Sequence, residues 1–506
     1  MGRMGSRSGQ MALRCGDVIM KTLMNYINGT FVPAQSGETI DDVNPATGMV
    51  IAQIPRSTKA DVELAAVSAK SAQSDWNALT LDQRADWLDV IADALQAKHE
   101  AIAQAESLDT GKPISLARRV DATRSVDNFR FFADFARKQQ PMTFEMSDAM
   151  NFVHRNGLGV VGLITPWNLP LYLMSWKVAP ALLMGNSIVA KPSEMTPLTA
   201  NILAETLHEL NLPRGVFNLV HGLGPEVGQG ILEHPLINGI SFTGGTATGR
   251  IVAATAAPMF KKLSLELGGK NATIVLEDAD LDQAVQGAVR AAFTNSGQVC
   301  LCGSRIMVHA SIADEFIERF VEKVAAMRIG EPSDEATQIG TVISMDHLEK
   351  VEFYINLAIE EGGTILTGGT RSMMGGVGPT PEGAYLAPTV IGGLSHLSRC
   401  ATEEIFGPVV TVHTFGSLAE ATEMANATEY GLAGSIWTRD VVVGKALAET
   451  IDTGIVWINT WLHRDLRTPF GGVKHSGVGR EGGQWSLGFF SETTNICVMN
   501  PRELGD

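Results

Sequence analysis

A chain of 506 residues allows about three compact units at roughly 100 to 200 residues each, or two large ones with insertions. Hydrophobic residues at 45%, charged residues at 19% and 52 glycines are the proportions of a globular α/β protein and exclude disordered, collagen-like and coiled-coil classes. With 39 Lys and Arg against 55 Asp and Glu, a formal charge of −16 offers no global attraction to a nucleic acid backbone or an anionic membrane.

Residues 1–20 carry Arg3, Arg7 and Arg14 with no acid before Asp17, a faint likeness to a transit peptide, while Met4, Met11 and Met20 offer later starts. They read as an N-terminal extension outside the fold and a candidate for disorder. After an extended start at Tyr26-Ile-Asn-Gly-Thr-Phe-Val, residues 60–137 carry Ala, Leu and Ile at helical spacing, a helical shoulder with no chemistry on display. Residues 138–156 alternate as extended chain. Then apolar or β-branched runs begin at Gly159, Ser187, Val216, Ile237 and Leu263, with helical patterns between them. That recurrence is the βαβ crossover of a parallel, doubly wound sheet. The uncharged stretch from Gly157 to Trp176 is long enough to cross a bilayer, but Pro166, Asn168 and Pro170 make it a strand, a turn and a helix start. A second α/β set runs from about 270 to 470, with strands at Ala272, Arg305 and Gly454 and amphipathic helices over 281–293 and about 314–327. Glycines and prolines over 366–385 mark a surface loop, and 485–500 reads as extended chain. Such edges need a partner strand, so an oligomer is expected.

Five cysteines, Cys15, Cys300, Cys302, Cys400 and Cys497, are odd in number and lack the paired spacing of a zinc site. A reducing, cytoplasmic compartment and no metal are expected. Cys300 follows a helix stop at Asn295-Ser-Gly. A thiol on such a loop attacks an electrophile once deprotonated, whereas a buried cysteine is only a small apolar residue; of Cys300 and Cys302, one is expected to be inert. Glu266, between two leucines at a strand end, is either a general base with a raised pKa or half of a salt bridge to Lys262 or Lys270. No Gly-x-Gly-x-x-Gly follows the first parallel strand. Lys191 and Glu194 beyond the second are suited to ribose hydroxyls, and Gly244-Gly-Thr-Ala-Thr-Gly249 opens a helix whose N–H groups suit a pyrophosphate or merely form a tight turn.

Pro166-Trp-Asn168, Lys191-Pro-Ser-Glu194, Phe242-Thr-Gly, Leu265-Glu-Leu-Gly-Gly-Lys, Gly297-Gln-Val-Cys300, Glu403-Glu-Ile-Phe-Gly-Pro408 and Pro469-Phe-Gly-Gly occur in an order and spacing that resemble the aldehyde dehydrogenase superfamily from Tyr26 onward. The resemblance implies an α/β fold with three parts. A Rossmann-type NAD-binding domain takes 21–137 and 157–268, an α/β catalytic domain takes 269–470, and a small β extension at 138–156 and 485–500 assembles a homodimer or homotetramer. It also implies Cys300 as nucleophile, Glu266 as base, Asn168 as oxyanion donor and Lys177 as proton relay. Trp167, Lys191, Glu194, Gly244, Gly245, Gly249, Glu404 and Phe406 are implied to contact the cofactor. Glu194 would accept from ribose hydroxyls and repel a 2′-phosphate, favouring NAD over NADP. Gly245 departs from the pattern, since many members have serine there. Glu266 favours hydrolysis over acyl transfer to coenzyme A.

Trp461-Leu-His-Arg-Asp-Leu-Arg467 adds Arg464 and Arg467 on one loop, and Arg124 is a third candidate for a substrate carboxylate. As alternatives, Arg467 pairs with Asp465 and Arg124 is an ordinary surface charge. With Phe144-Glu-Met and Arg464-Asp-Leu-Arg, the chain looks like the branch that oxidises 2-hydroxymuconic and 2-aminomuconic semialdehydes in aromatic catabolism, which implicates Arg124 and Arg464. A betaine aldehyde, being cationic, would be repelled by Arg464. A cofactor-independent cysteine esterase and a non-catalytic structural protein are the alternatives from other classes.

Overall fold

The structure is a computed structural model that describes residues 21–371 and 382–499. The N-terminal extension and residues 372–381 of the glycine-rich loop lie outside the described residues. The five apolar runs form parallel strands β1 (Val160–Ile164), β2 (Ser187–Lys191), β3 (Phe217–Leu219), β4 (Ile237–Thr243) and β5 (Lys262–Glu266). In space they lie in the order β3, β2, β1, β4, β5. The order reverses between β1 and β4, and a crevice therefore opens beyond their C-terminal ends. The hairpin Asn25–Ile27 and Thr30–Val32 extends the sheet past β3, and Gly477–Val478 pairs antiparallel with β5.

Both faces of this sheet are covered, which is why its strands are continuously apolar. Val160, Ile164 and Val189 join one core with Val62, Ala65 and Ala69 of the helix Lys59–Ala78. Their neighbours Val161, Leu163 and Ile188 join the opposite core with Leu88, Ile91, Leu95, Phe129 and Phe132. The helices Lys59–Ala78 and Leu81–Ala97 each start at a capping box, Thr58 with Asp61 and Thr80 with Gln83.

The second sheet contains β6 (Ala272–Val275), β7 (Arg305–His309), β8 (Thr364–Thr367), β9 (Thr389–Gly392), β10 (Val409–Phe415), β11 (Ala433–Trp437) and β12 (Ile455–Ile458) in the order β8, β9, β10, β7, β6, β11, β12. Only β8 runs antiparallel to its neighbour. The helices Leu281–Phe293 and Ala313–Ala325 cover it through the stacked rings of Phe293, Phe316 and Phe320. Met142–Glu145, Ala149–Gly157 and Ser491–Met499 form a separate antiparallel sheet.

Two expectations are corrected. The segment expected to be extended from 485 begins as the helix Gly483–Phe489, because Leu487 and Phe490 bury together at helical rather than alternate spacing. The loop expected over 366–385 is shorter, since Leu366 and Thr367 belong to β8, and Ala384 and Tyr385 are buried against the second sheet's helix Met345–Glu360 and strands.

Candidate active site

The loops at the crevice bring the sequence candidates together from opposite sides. β1 runs into Thr165-Pro-Trp-Asn168, and the helix Pro170–Leu183 starts with proline at its first turn, where no N–H is needed. β5 ends on Glu266. From the second sheet, Asn295, Ser296 and Gly297 stand at φ of 54°, 53° and 72°, which ends the helix Leu281–Phe293 and reverses the chain toward the crevice. Only glycine fits at 297: a Cβ there would lie 2.0 Å from the Gly407 carbonyl oxygen. Cys300 and Glu266 consequently line one narrow, mainly apolar cavity with Tyr172, Trp176, Arg464, Phe470 and Glu481. Asn168 lies beside it; its Nδ2 donates to the Gln298 carbonyl at 2.9 Å, two residues before Cys300.

Burial in this cavity pushes the Cys300 thiol up to about 12, with the nearby Glu266 and Glu404 adding and Arg464 opposing. It likewise raises the Glu266 carboxyl well above the usual carboxylate range; Glu481 adds to the shift, and Lys177 and Arg480 oppose it. Neither Glu266 oxygen has a hydrogen-bond partner among the described residues, so the salt bridge to Lys262 or Lys270 does not form. Lys177, fully buried, donates to Glu481 and to the Ser241 hydroxyl, each at 2.8 Å. Glu481 is held by paired backbone hydrogen bonds with Phe470 at 2.7 and 2.8 Å. Cys302 is buried apart, its thiol 3.8 Å from the Thr294 carbonyl.

On the sheet side, Lys191 is buried and pairs with Glu194 at 3.0 Å. Gly245 is the N-cap of the helix Thr246–Ala256 and supplies no side-chain cap; a Cβ placed on it would meet nothing within 4 Å, so the helix N-terminus faces open space. Gly244 leads into that turn, and Gly249 packs its α-carbon against Leu267. The Glu404 carboxylate accepts from the Gly269 N–H at 2.9 Å, and burial raises its pKa. Phe406, at a left-handed φ of 62°, sets its ring edge-on to Trp167 at 5.3 Å. His347 donates to the Phe406 carbonyl at 2.7 Å and packs on both rings; burial lowers its pKa to about 4, so it is neutral.

In the same cavity the Arg464 guanidinium lies 4.0 Å over Phe470 and 5.3 Å over Trp176 and donates to the Tyr172 hydroxyl at 3.1 Å. It has no carboxylate partner among the described residues. Arg124 does not line the cavity. Its guanidinium stacks 5.1 Å from the Tyr172 ring centre, with Nε and Nη2 buried and unpaired, and burial lowers its pKa. It is therefore no ordinary surface charge. Arg467 pairs with Asp465 on the surface, the second of the two readings its sequence allowed. Glu481, Tyr172 and His347 carry no sequence signal of their own, because each joins the site only through contacts distant in the chain.

The sequence profile of the aldehyde dehydrogenase family matches residues 31–496. The chain is 45% identical to 2-hydroxymuconic semialdehyde dehydrogenase of Pseudomonas sp. (strain CF600), over 95% of this chain and all of that one. It is 44% identical to human 2-aminomuconic semialdehyde dehydrogenase, over 94% and 98% of the two chains. The solved structure of the NAD+ complex of a Bacillus cereus aldehyde dehydrogenase superposes with a TM-score of 0.91 at 37% identity, covering 95% of this chain and 97% of that one. Site geometry, fold and similarity along nearly the whole length converge: the chain belongs to the aldehyde dehydrogenase family.

Proposed function

We propose that the protein oxidises a carboxylated, conjugated semialdehyde of the 2-hydroxymuconic or 2-aminomuconic type to its acid, with NAD as cofactor and Cys300 as the acylated residue. The observation that carries the reading is one cavity lined by Cys300, Glu266 and Arg464, the last without an acid partner among the described residues. A substrate with both an aldehyde and a carboxylate suits a cavity that holds a nucleophile and an unpaired cation together.

The residues present fit a dinucleotide. The open helix N-terminus at Gly245 suits a pyrophosphate, Lys191 and Glu194 suit the adenosine ribose, and Glu404, Phe406 and Trp167 border the crevice toward Cys300. When bound, NAD supplies the hydride acceptor. The chain's own residues do the rest. The Cys300 proton passes to Glu266 as the sulfur bonds the aldehyde carbon, and the Asn168 amide and the Cys300 backbone N–H hold the oxyanion. Collapse of that oxyanion re-forms the C=O bond as hydride leaves, and a thioester remains on Cys300. Glu266 first gives up the thiol proton toward solvent with Lys177 and Glu481 as the relay, and then takes a second one from water, whose oxygen displaces the Cys300 sulfur and releases the acid. Arg464 with Tyr172 receives the carboxylate, and Arg124, outside the cavity, stacks on the Tyr172 ring. The separate three-stranded sheet fits assembly as a homodimer or homotetramer, and the charge and cysteine usage fit the cytoplasm.

A panel of aldehydes followed by NADH absorbance tests this. Arg464→Ala should cut kcat/KM about 100-fold for carboxylated semialdehydes and less than about threefold for hexanal. Equal losses for both would remove the carboxylate clamp, and ester turnover without NADH production from any aldehyde would make the protein a hydrolase instead.

A further inference from the structure

The region 99–137 contributes more than a helical shoulder. The helix His99–Thr110 ends at Gly111, whose φ is 69° and whose Cβ, if it had one, would lie 1.8 Å from the Thr341 hydroxyl. Pro113 follows, so Lys112 sits on a turn with no freedom to unwind. Its ammonium is fully buried. Nζ donates to Asp121 Oδ1 at 2.8 Å and to the backbone carbonyl of Asn168 at 3.0 Å, and lies 3.7 Å from Glu106 Oε2. Glu106, also fully buried, accepts from the Leu171 N–H at 2.9 Å and from the Thr199 hydroxyl at 3.1 Å. Asp121 lies in a π-helical turn, Ala117–Ala122, which leads directly into the helix carrying Arg124.

A lysine and two acids are costly to bury, and hydrogen bonds to fixed partners must offset that cost. Here the partners include two backbone groups of one segment, the Asn168 carbonyl and the Leu171 N–H. Asn168 stands before the first helical carbonyl of Pro170–Leu183, so its own carbonyl lies outside the helix ladder and needs donors from elsewhere. Lys112 Nζ and Asn295 Nδ2, at 3.0 and 3.1 Å, provide them. Glu106 grips Leu171 on the other side of Pro170, so the cluster fixes the chain both before and after the point where the Asn168 side chain projects.

We propose that Lys112 is a positioning residue: it clamps the Asn168 backbone so that the Asn168 amide is aimed at the oxyanion formed on Cys300. This rests on Asn168 being the oxyanion donor. Lys112 touches no reacting atom and works through the Asn168 carbonyl alone, with Asp121 and Glu106 holding it in place.

Replacing Lys112 alone leaves two buried acids without their cation, so the informative variant is the pair Lys112→Met with Asp121→Asn, which removes charge of both signs. It should lower kcat about 10- to 100-fold, the scale of a displaced donor, with KM for the aldehyde and NAD affinity by fluorescence titration within about threefold of wild type. Asp121→Asn alone, which leaves the bond from Lys112 to Asn168, should stay within about threefold in kcat. Placed on an Asn168→Ala background, where the backbone carbonyl remains but the amide is gone, the paired substitution should change kcat less than about twofold. The proposal is overturned if the two losses multiply, if KM and NAD affinity worsen in step with kcat, or if the paired variant keeps wild-type kcat. An Asn168→Ala variant of undiminished kcat would instead overturn the oxyanion assignment, and this inference with it.

Discussion

The Cys300 thiol and the Glu266 carboxyl share one mainly apolar cavity, and burial raises the pKa of both. A raised pKa means the proton stays on as pH rises through the ordinary range, so the reactive thiolate and carboxylate forms accumulate at higher pH. The expected outcome is a kcat/KM that climbs between about pH 6 and 9, and Glu266→Gln should lower kcat by about 100-fold or more and remove the carboxylate's share of that climb. A rate that falls with pH over this interval would contradict it. The identities of these two residues were legible in the sequence because each stands inside a distinctive local motif. Arg464 was legible as a cation but not as a stacked one: its rings, Phe470 and Trp176, are assembled only in space. Glu481 could not be found at all, since its tie to Lys177 spans 304 positions.

Among the elements, the turn at Asn295, Ser296 and Gly297 is what aims Cys300. Gly297→Ala would force a methyl group into the Gly407 carbonyl at a left-handed φ. It should destabilise the protein by more than about 1 kcal/mol and lower kcat at least tenfold, read by thermal melting and NADH production. Gly245→Ser is the contrast: with open space over that N-cap it should leave the melting temperature unlowered. An unchanged Gly297→Ala variant would show that the turn relaxes without cost. The parallel strands were readable because covered strands are apolar throughout, and the crossover helices supply the spacing. Gly483–Phe489 was misread as extended because seven residues are too few to separate a helical period from alternation. The β8 boundary failed for a related reason, as glycines flank a strand whose outer residues are partly exposed.

For the molecule as a whole, the three-stranded sheet stands apart from the two larger ones and exposes Phe144, Phe152, Ile496 and Val498. Apolar side chains on such a sheet seek a second surface. Light scattering should give a mass that is a multiple of 54.1 kDa, and Phe152→Glu with Ile496→Glu should shift it toward a single chain. A monomeric wild type would refute this reading. The path of the polypeptide also makes the reaction chamber composite. Gly477–Val478 recrosses to β5, bringing Glu481 against Lys177 and beside the Glu266 carboxyl. Glu481 is separated in the chain from the strand ending on Glu266 by every strand of the second sheet, so this wall of the cavity depends on contacts distant in sequence. A chain whose second sheet has not yet folded thus lacks one wall of its reaction chamber.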